Sequence, residues 1–196
     1  MGRFKGRWQV IALLAIFILP TAAAMVMVFS DWRPGTFTNN GDLVQPAEQL
    51  EPGAWQGVAE AAPVLAGDWL IVAPQSTACD EDCLDRIDRL NRAQIALDRD
   101  IDRVRLVVLQ PDSVAEPVFE PVPGIVNLSA PRAVIDRLAA HEGEPMAAHI
   151  VDYRGYHVMR YARPLDASGL LDDLENLLGL AKEEAERRAL EEATRE

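Results

Sequence analysis

Cys79 and Cys83 are the only cysteines of this 196-residue chain, four apart in Thr77-Ala78-Cys79-Asp80-Glu81-Asp82-Cys83. Two thiols at that spacing can close a disulfide, exchange it with another thiol, or hold a soft metal ion. Exchange needs a sulfur whose thiolate is stabilised, which the free amide N–H groups of a helix N-terminus provide. The apolar run Trp69-Leu70-Ile71-Val72-Ala73 ahead of the pair reads as a buried strand and the residues after it as a helix, so the cysteines stand at a strand-to-helix junction. With Cys79 just outside the helix, the C-x-x-x-C spacing lets the two sulfurs meet. Asp80, Glu81 and Asp82 oppose a neighbouring thiolate and argue against fast exchange, whereas a bound cation would reverse that balance. A Cu(I) site asks for two thiolates with a thioether or imidazole, and Met146, His149 and His157 are the candidates. A structural disulfide, or two unused thiols, is the plainest alternative. Met146 also reads as core filler and the histidines as surface or edge residues.

The elements that must position the pair follow from hydrophobic periodicity. Cys83, Ile87, Leu90 and Leu97 share one face of a helix running from Cys79 to about Asp98, with Asp85, Arg86, Asp88, Arg89 and Arg92 elsewhere. Val104–Leu109 reads as a second buried strand, followed by a segment punctuated by Pro111, Pro117, Pro121 and Pro123. Ser129 is expected to cap a short helix with Pro131 in its first turn and Val134, Ile135 and Leu138 inward. Met146–Asp152 and Tyr156–Tyr161 read as a hairpin turning at Tyr153-Arg154-Gly155. A last helix starts near Ser168 and buries Leu170, Leu171, Leu174, Leu177 and Leu178. Strands alternating with helices imply parallel crossovers, with the hairpin as an antiparallel edge: a mixed α/β, thioredoxin-like domain.

Val10 to Phe29 is an almost unbroken apolar run, long enough to span a bilayer as one N-terminal transmembrane helix. Arg3, Lys5 and Arg7 precede it and Asp31 follows, so the positive-inside rule exports the rest of the chain. Ala22-Ala23-Ala24 offers the rival reading of a cleaved signal peptide, which exports the domain equally. The expected organisation is residues 1–30 as cytoplasmic N-terminus and anchor, 31–66 as an irregular lead-in, 67–180 as the thioredoxin-like domain, and 181–196 as a charged helical tail. Within the lead-in, Asn40-Gly41-Asp42-Leu43-Val44 suggests a turn entering a short strand. Formal net charge is −12, and residues 1–30 hold three cations and no acid, so the exported part is strongly acidic. Such a surface excludes nucleic acid as a partner, because phosphate binding needs a basic face.

These features together resemble the SCO/SenC group, membrane-anchored thioredoxin-fold proteins that help assemble the copper site of cytochrome c oxidase. The residues carrying the likeness are the N-terminal apolar segment, the Cys79-x-x-x-Cys83 pair at the strand-to-helix junction, Ile150-Val151-Asp152-Tyr153-Arg154-Gly155, and Asn40-Gly41-Asp42-Leu43-Val44. The chain departs from the pattern in two places. The position matching the family's copper-ligand histidine falls near Glu144 and Pro145, and Asp80 stands where the family has proline after the first cysteine. Pro145 precedes a strand where thioredoxin-like folds place a cis-proline beside their cysteines, which would bring Met146 toward Cys79.

The resemblance implies a single-pass protein of the inner membrane, with a periplasmic domain that handles copper or the thiols of a copper site. Its partners would be cytochrome c oxidase subunits or another copper-site protein. Cys79 and Cys83 would be the redox pair, and Cys79, Cys83 and Met146 the metal ligands. A general thiol–disulfide oxidoreductase and a non-catalytic thioredoxin-like scaffold are the competing expectations.

Overall fold

The computed structural model describes residues 39–52, 55–57, 67–114, 118 and 122–194, together with positions 16, 18 and 19. The chain divides into two units, Met1–Thr38 and Asn39–Glu196, and the fold below is that of the second. The membrane segment expected over Val10–Phe29 lies outside the described residues except at Ile16, Ile18 and Leu19, which are helical and exposed. Among the described residues no helix is long and apolar enough to cross a membrane.

The elements are β1 (Asp42–Gln49), β2 (Gln56–Gly57), β3 (Trp69–Pro74), α1 (Glu81–Ala96), a 3-10 turn (Asp98–Arg103), β4 (Val104–Pro111), β5 (Ile125–Ala130), α2 (Arg132–Ala139), β6 (Ala140–His141), β7 (Glu144–Val151), β8 (Tyr156–Ala162) and α3 (Ala167–Ala193). The sheet runs β1-β8-β7-β3-β4-β5-β2, with β6 paired to β7. β3, β4 and β5 are mutually parallel, and β7, β8, β1 and β2 attach antiparallel. Within the lead-in, the short strand expected after Asn40-Gly41 is present as β1, and β2 adds a second strand to the sheet.

Helices cover both faces. On one, α1 and α3 bury Leu90, Ala93, Leu170, Leu174 and Leu178 against Ile71, Leu106 and Ile150. On the other, α2 packs Ile135 and Leu138 onto Leu70, Val72, Val107 and Leu128. Coverage of both faces explains why β3 and the Leu106–Leu109 stretch of β4 are continuous apolar runs rather than alternating ones. Each fully buried Leu or Ile here contributes about 1.5–3 kcal/mol of transfer free energy.

Most elements read from the sequence are present, and two are corrected. Ser129 does not cap a helix: it lies in β5, opposite Gln110 of β4, and α2 begins at Arg132 after Pro131 without a side-chain cap. The strand β5 itself was not expected, because Asn127 and Ser129 interrupt its short apolar run and pairing with β4 and β2 completes it. The β7–β8 turn falls as expected. Asp152 accepts hydrogen bonds from the Arg154 and Tyr156 amides, and Gly155 adopts φ +88 in a left-handed turn position, where its missing Cβ also leaves room for Pro52.

Candidate functional site

Strand β3 ends at Pro74, and the chain crosses Gln75–Cys79 before entering α1. Asp80 is the N-cap of α1, its carboxylate accepting from the Cys83 N–H at 2.9 Å. This places Cys79 outside the helix and Cys83 within its first turn. The two are joined as a disulfide, with their Cα atoms 5.3 Å apart. The sulfurs differ in setting: Cys83 is buried against Ile87 and Val108, while Cys79 is half-buried at the rim with Val118 and Ile125. The Cys79 N–H donates to the Val118 carbonyl, tying the pair to the Pro-rich connection between β4 and β5.

The acidic residues that count against thiolate at sequence level are exposed, and one of them is occupied in capping the helix. What the sequence reading missed is Arg86. Counted with the solvent-facing charges, it is 5% exposed. Its Nη1 donates to the Ala147 carbonyl at 2.8 Å and its Nη2 to Gln75 Oε1 at 2.7 Å. Its Nε has no hydrogen-bond partner. Burial lowers the Arg86 pKa to about 10, with Arg163 pushing the same way and Asp80 opposing. The signal was present in its spacing: Arg86 follows Cys83 by three and precedes Ile87 by one, so it flanks the buried stripe of α1.

Arg86 also lines a groove of about 450 Å³ with Asp82, Arg89, Arg163 and Pro164. Arg89 is held by Asp85 on the helix surface, and Arg163 donates from Nε to the Met146 carbonyl at 3.3 Å. Two arginines thus hold consecutive carbonyls, those of Met146 and Ala147, at the start of β7.

β7 runs antiparallel to β3, with Val72 opposite His149, so continuing the register brings the start of β7 to the end of β3 that carries the cysteines. Met146 is buried there, outside the cluster formed around Cys83. Pro145 is not the cis-proline expected beside the pair: among the described residues the cis bonds are Gln45–Pro46 and Arg163–Pro164. Pro145 instead sits in β7 opposite Ala140 and accepts from the Arg163 N–H. Glu144 is exposed.

His149 and His157 are not the surface or edge residues expected. Both are buried and bonded to each other, Nδ1 to Nε2, at 2.9 Å, and His149 Nε2 reaches the Leu138 carbonyl of α2 at 2.7 Å. They belong to the α2 side of the sheet. No group of three His, Cys, Asp or Glu able to hold a metal occurs among the described residues.

A mixed sheet covered on both faces, with a cysteine pair where β3 runs into α1, defines a thioredoxin-like protein. The chain belongs to the family of transmembrane-like, thioredoxin-like C-terminal domains, whose model matches residues 69–181. Curated protein sequences give no significant match. Among solved structures, apo Sco1 from Thermus thermophilus is similar with a TM-score of 0.53 at 16% identity, over 73% of this chain and 99% of that one. BsSco, a member of the Sco family of cytochrome c oxidase assembly proteins with an identified disulfide switch, gives 0.50 at 13% identity, over 69% of this chain and 95% of its own. Yeast Sco1 with copper bound gives 0.46 at 16% identity, over 59% and 80% of the two chains. The expected likeness to SCO/SenC proteins is therefore found, as a likeness of fold.

Proposed function

We propose that this protein is a membrane-anchored, periplasm-facing assembly factor for cytochrome c oxidase, acting through Cys79 and Cys83 on copper or on the thiols of a copper site. The observation that carries the reading is the asymmetric pair: one sulfur at the rim where a partner can reach it, the other buried in the first turn of a helix. The Sco-like fold and the family match support it. The apolar segment at Val10–Phe29, flanked by Arg3, Lys5 and Arg7 before and Asp31 after, supports the anchor and the export of the domain.

Copper is cargo in this reading. Two thiolates are donors that suit Cu(I), and the buried thioether of Met146 lies on the strand that approaches the same end of β3. Asp80, Glu81 and Asp82 between the cysteines are hard oxygen ligands and contribute field rather than bonds. The test is an anaerobic Cu(I) titration of the reduced protein against a competing chelator, with Cys79→Ser/Cys83→Ser as control. One-to-one binding lost in the double variant is expected; absence of competitive binding would remove the copper arm.

A second reading, thiol–disulfide exchange without metal, is favoured by one observation: the described residues bring no histidine to the cysteines. It predicts a reduction potential above the range of inert structural disulfides, roughly −300 mV. A lower potential would leave the pair a structural staple.

A further inference from the structure

Arg86 is a buried cation whose hydrogen-bond partners are both neutral, the Ala147 carbonyl and the Gln75 side-chain amide. No carboxylate lies within ion-pair distance of it among the described residues, although neighbouring arginines of α1, Arg89 and Arg92, are paired with Asp85 and Asp88. A buried charge without a counter-charge is costly, so a state of the protein that supplies the missing charge is favoured by it. One residue set can supply it here. Cys83 precedes Arg86 by three positions on the same helix, so their side chains are neighbours on its surface. Asp80, which caps the helix at Cys83, is the acid that opposes the effect of burial on Arg86.

We infer that Arg86 is a positioning residue whose charge, opposed at a distance by Asp80, is matched more fully when the Cys79–Cys83 disulfide is open, so that it favours the reduced or metal-loaded pair over the oxidised one. The inference rests on the redox or copper reading proposed above. The step it acts on is ordinary exchange. A thiolate of a dithiol reductant attacks the half-buried Cys79 sulfur, the S–S bond breaks, and Cys83 leaves with the electron pair as a thiolate. The second thiolate of the reductant then attacks its own sulfur in the mixed disulfide, releasing Cys79 as a thiolate and leaving the reductant as its disulfide. Two electrons pass from reductant to protein, and the protons remain on the released thiols or in solvent. Negative charge appears on Cys83, inside an apolar cluster of Ile87 and Val108, where nothing in the oxidised pair carried any. The guanidinium one turn along the helix opposes that cost. The same charge would balance two thiolates around one Cu(I), a complex with net charge −1.

The experiment is the redox equilibrium of the full-length protein with dithiothreitol at pH 7.5, for wild type, Arg86→Gln, Arg86→Lys and Arg89→Gln, with unfolding of the oxidised and reduced forms of each followed in parallel. Arg86→Gln is expected to shift the equilibrium about tenfold toward the disulfide, a potential about 30 mV more negative. Arg86→Lys keeps the charge and should stay within about threefold of wild type, while Arg89→Gln, which removes an exposed charge, should leave the potential unchanged. A purely structural clasp would destabilise both redox forms of Arg86→Gln equally and leave its potential at the wild-type value, which overturns the inference. An equal shift in Arg89→Gln also overturns it. Should Arg86→Gln fail to fold, Arg86→Met, which keeps the side-chain length without a polar group to bury, is expected to make the same shift toward the disulfide; an unchanged potential there is equally adverse. The wild-type potential itself judges the redox reading of the pair, and the difference between variants judges Arg86, so the two can fail separately.

Discussion

His149 and His157 face each other across the β7–β8 hairpin with Nδ1 and Nε2 2.9 Å apart, both rings buried. The Leu138 carbonyl can only accept, so His149 Nε2 carries a proton and its Nδ1 faces His157 Nε2, while the His157 ring is also hydrogen-bonded to the Met159 backbone. This neutral arrangement joins α2, β7 and β8 on the face opposite α1.

Its consequence is acid sensitivity. Burial, with His157 beside it, lowers the His149 pKa to about 3; burial also lowers that of His157 to about 4, with Arg160 and Arg137 acting in the same direction. The unfolded chain takes up these protons near pH 6.5, the folded chain only near pH 4 and 3. Stability from this source is therefore complete above pH 6.5 and falls as the pH drops below it, by up to about 1.4 kcal/mol per pH unit for each ring. Urea unfolding at pH 7.5, 6.5 and 5.5 should show the decline, and His157→Gln should flatten it. A wild-type stability constant over that range would contradict the lowering of the two pKa values by burial.

Asp173 of α3 clamps the start of the domain. Its carboxylate accepts from the Asn40 and Gly41 amides and from the Tyr161 hydroxyl, at 2.8 to 3.0 Å. Asp173→Ala would leave these donors unmatched and is expected to cost at least about 3 kcal/mol. A loss below about 1 kcal/mol in denaturant unfolding would show that water replaces the carboxylate.

Gly41 is required by the same contact. A Cβ there would fall 2.5 Å from Tyr161 Cε1. Gly41→Ala is expected to destabilise by about 1–3 kcal/mol through overpacking. Tyr161→Phe, which keeps the ring but loses the hydroxyl, should leave that clash penalty in place in the double variant.

The half-buried Cys79 and buried Cys83 should react unequally. In Cys83→Ser, the remaining Cys79 is expected to be alkylated by iodoacetamide at least about tenfold faster than the remaining Cys83 in Cys79→Ser, because access governs the rate. Mass spectrometry of timed samples measures both. Equal rates would remove the distinction between an attacked and a leaving sulfur.

Asp80 holds the first turn of α1, and Asp80→Ala should cost about 1 kcal/mol while Asp80→Asn costs a few tenths. Thermal unfolding of the oxidised protein distinguishes the two. Equal losses would mean that charge, rather than the hydrogen bond to the Cys83 N–H, is what the position supplies.

Much of this molecule is written in local pattern. The apolar runs of β3 and β4, the stripe Cys83–Ile87–Leu90 of α1 continued by Leu97 at its C-cap, and the leucines of α3 fix those elements, because period and burial follow from adjacent residues alone. The cysteine pair and its junction were legible for the same reason. The strand β5 was not, since its short run Ile125–Ala130 gains its identity from pairing with β4 on one side and β2 on the other. The tertiary structure alone decided that Arg86 is buried, that Pro145 is not cis, and that His149 meets His157. Each depends on which surfaces distant segments present to one another: a helix flank closed over by Gln75 and Ala147 turns a surface arginine into a buried charge, and a hairpin packed beneath α2 turns two edge histidines into a hydrogen-bonded pair.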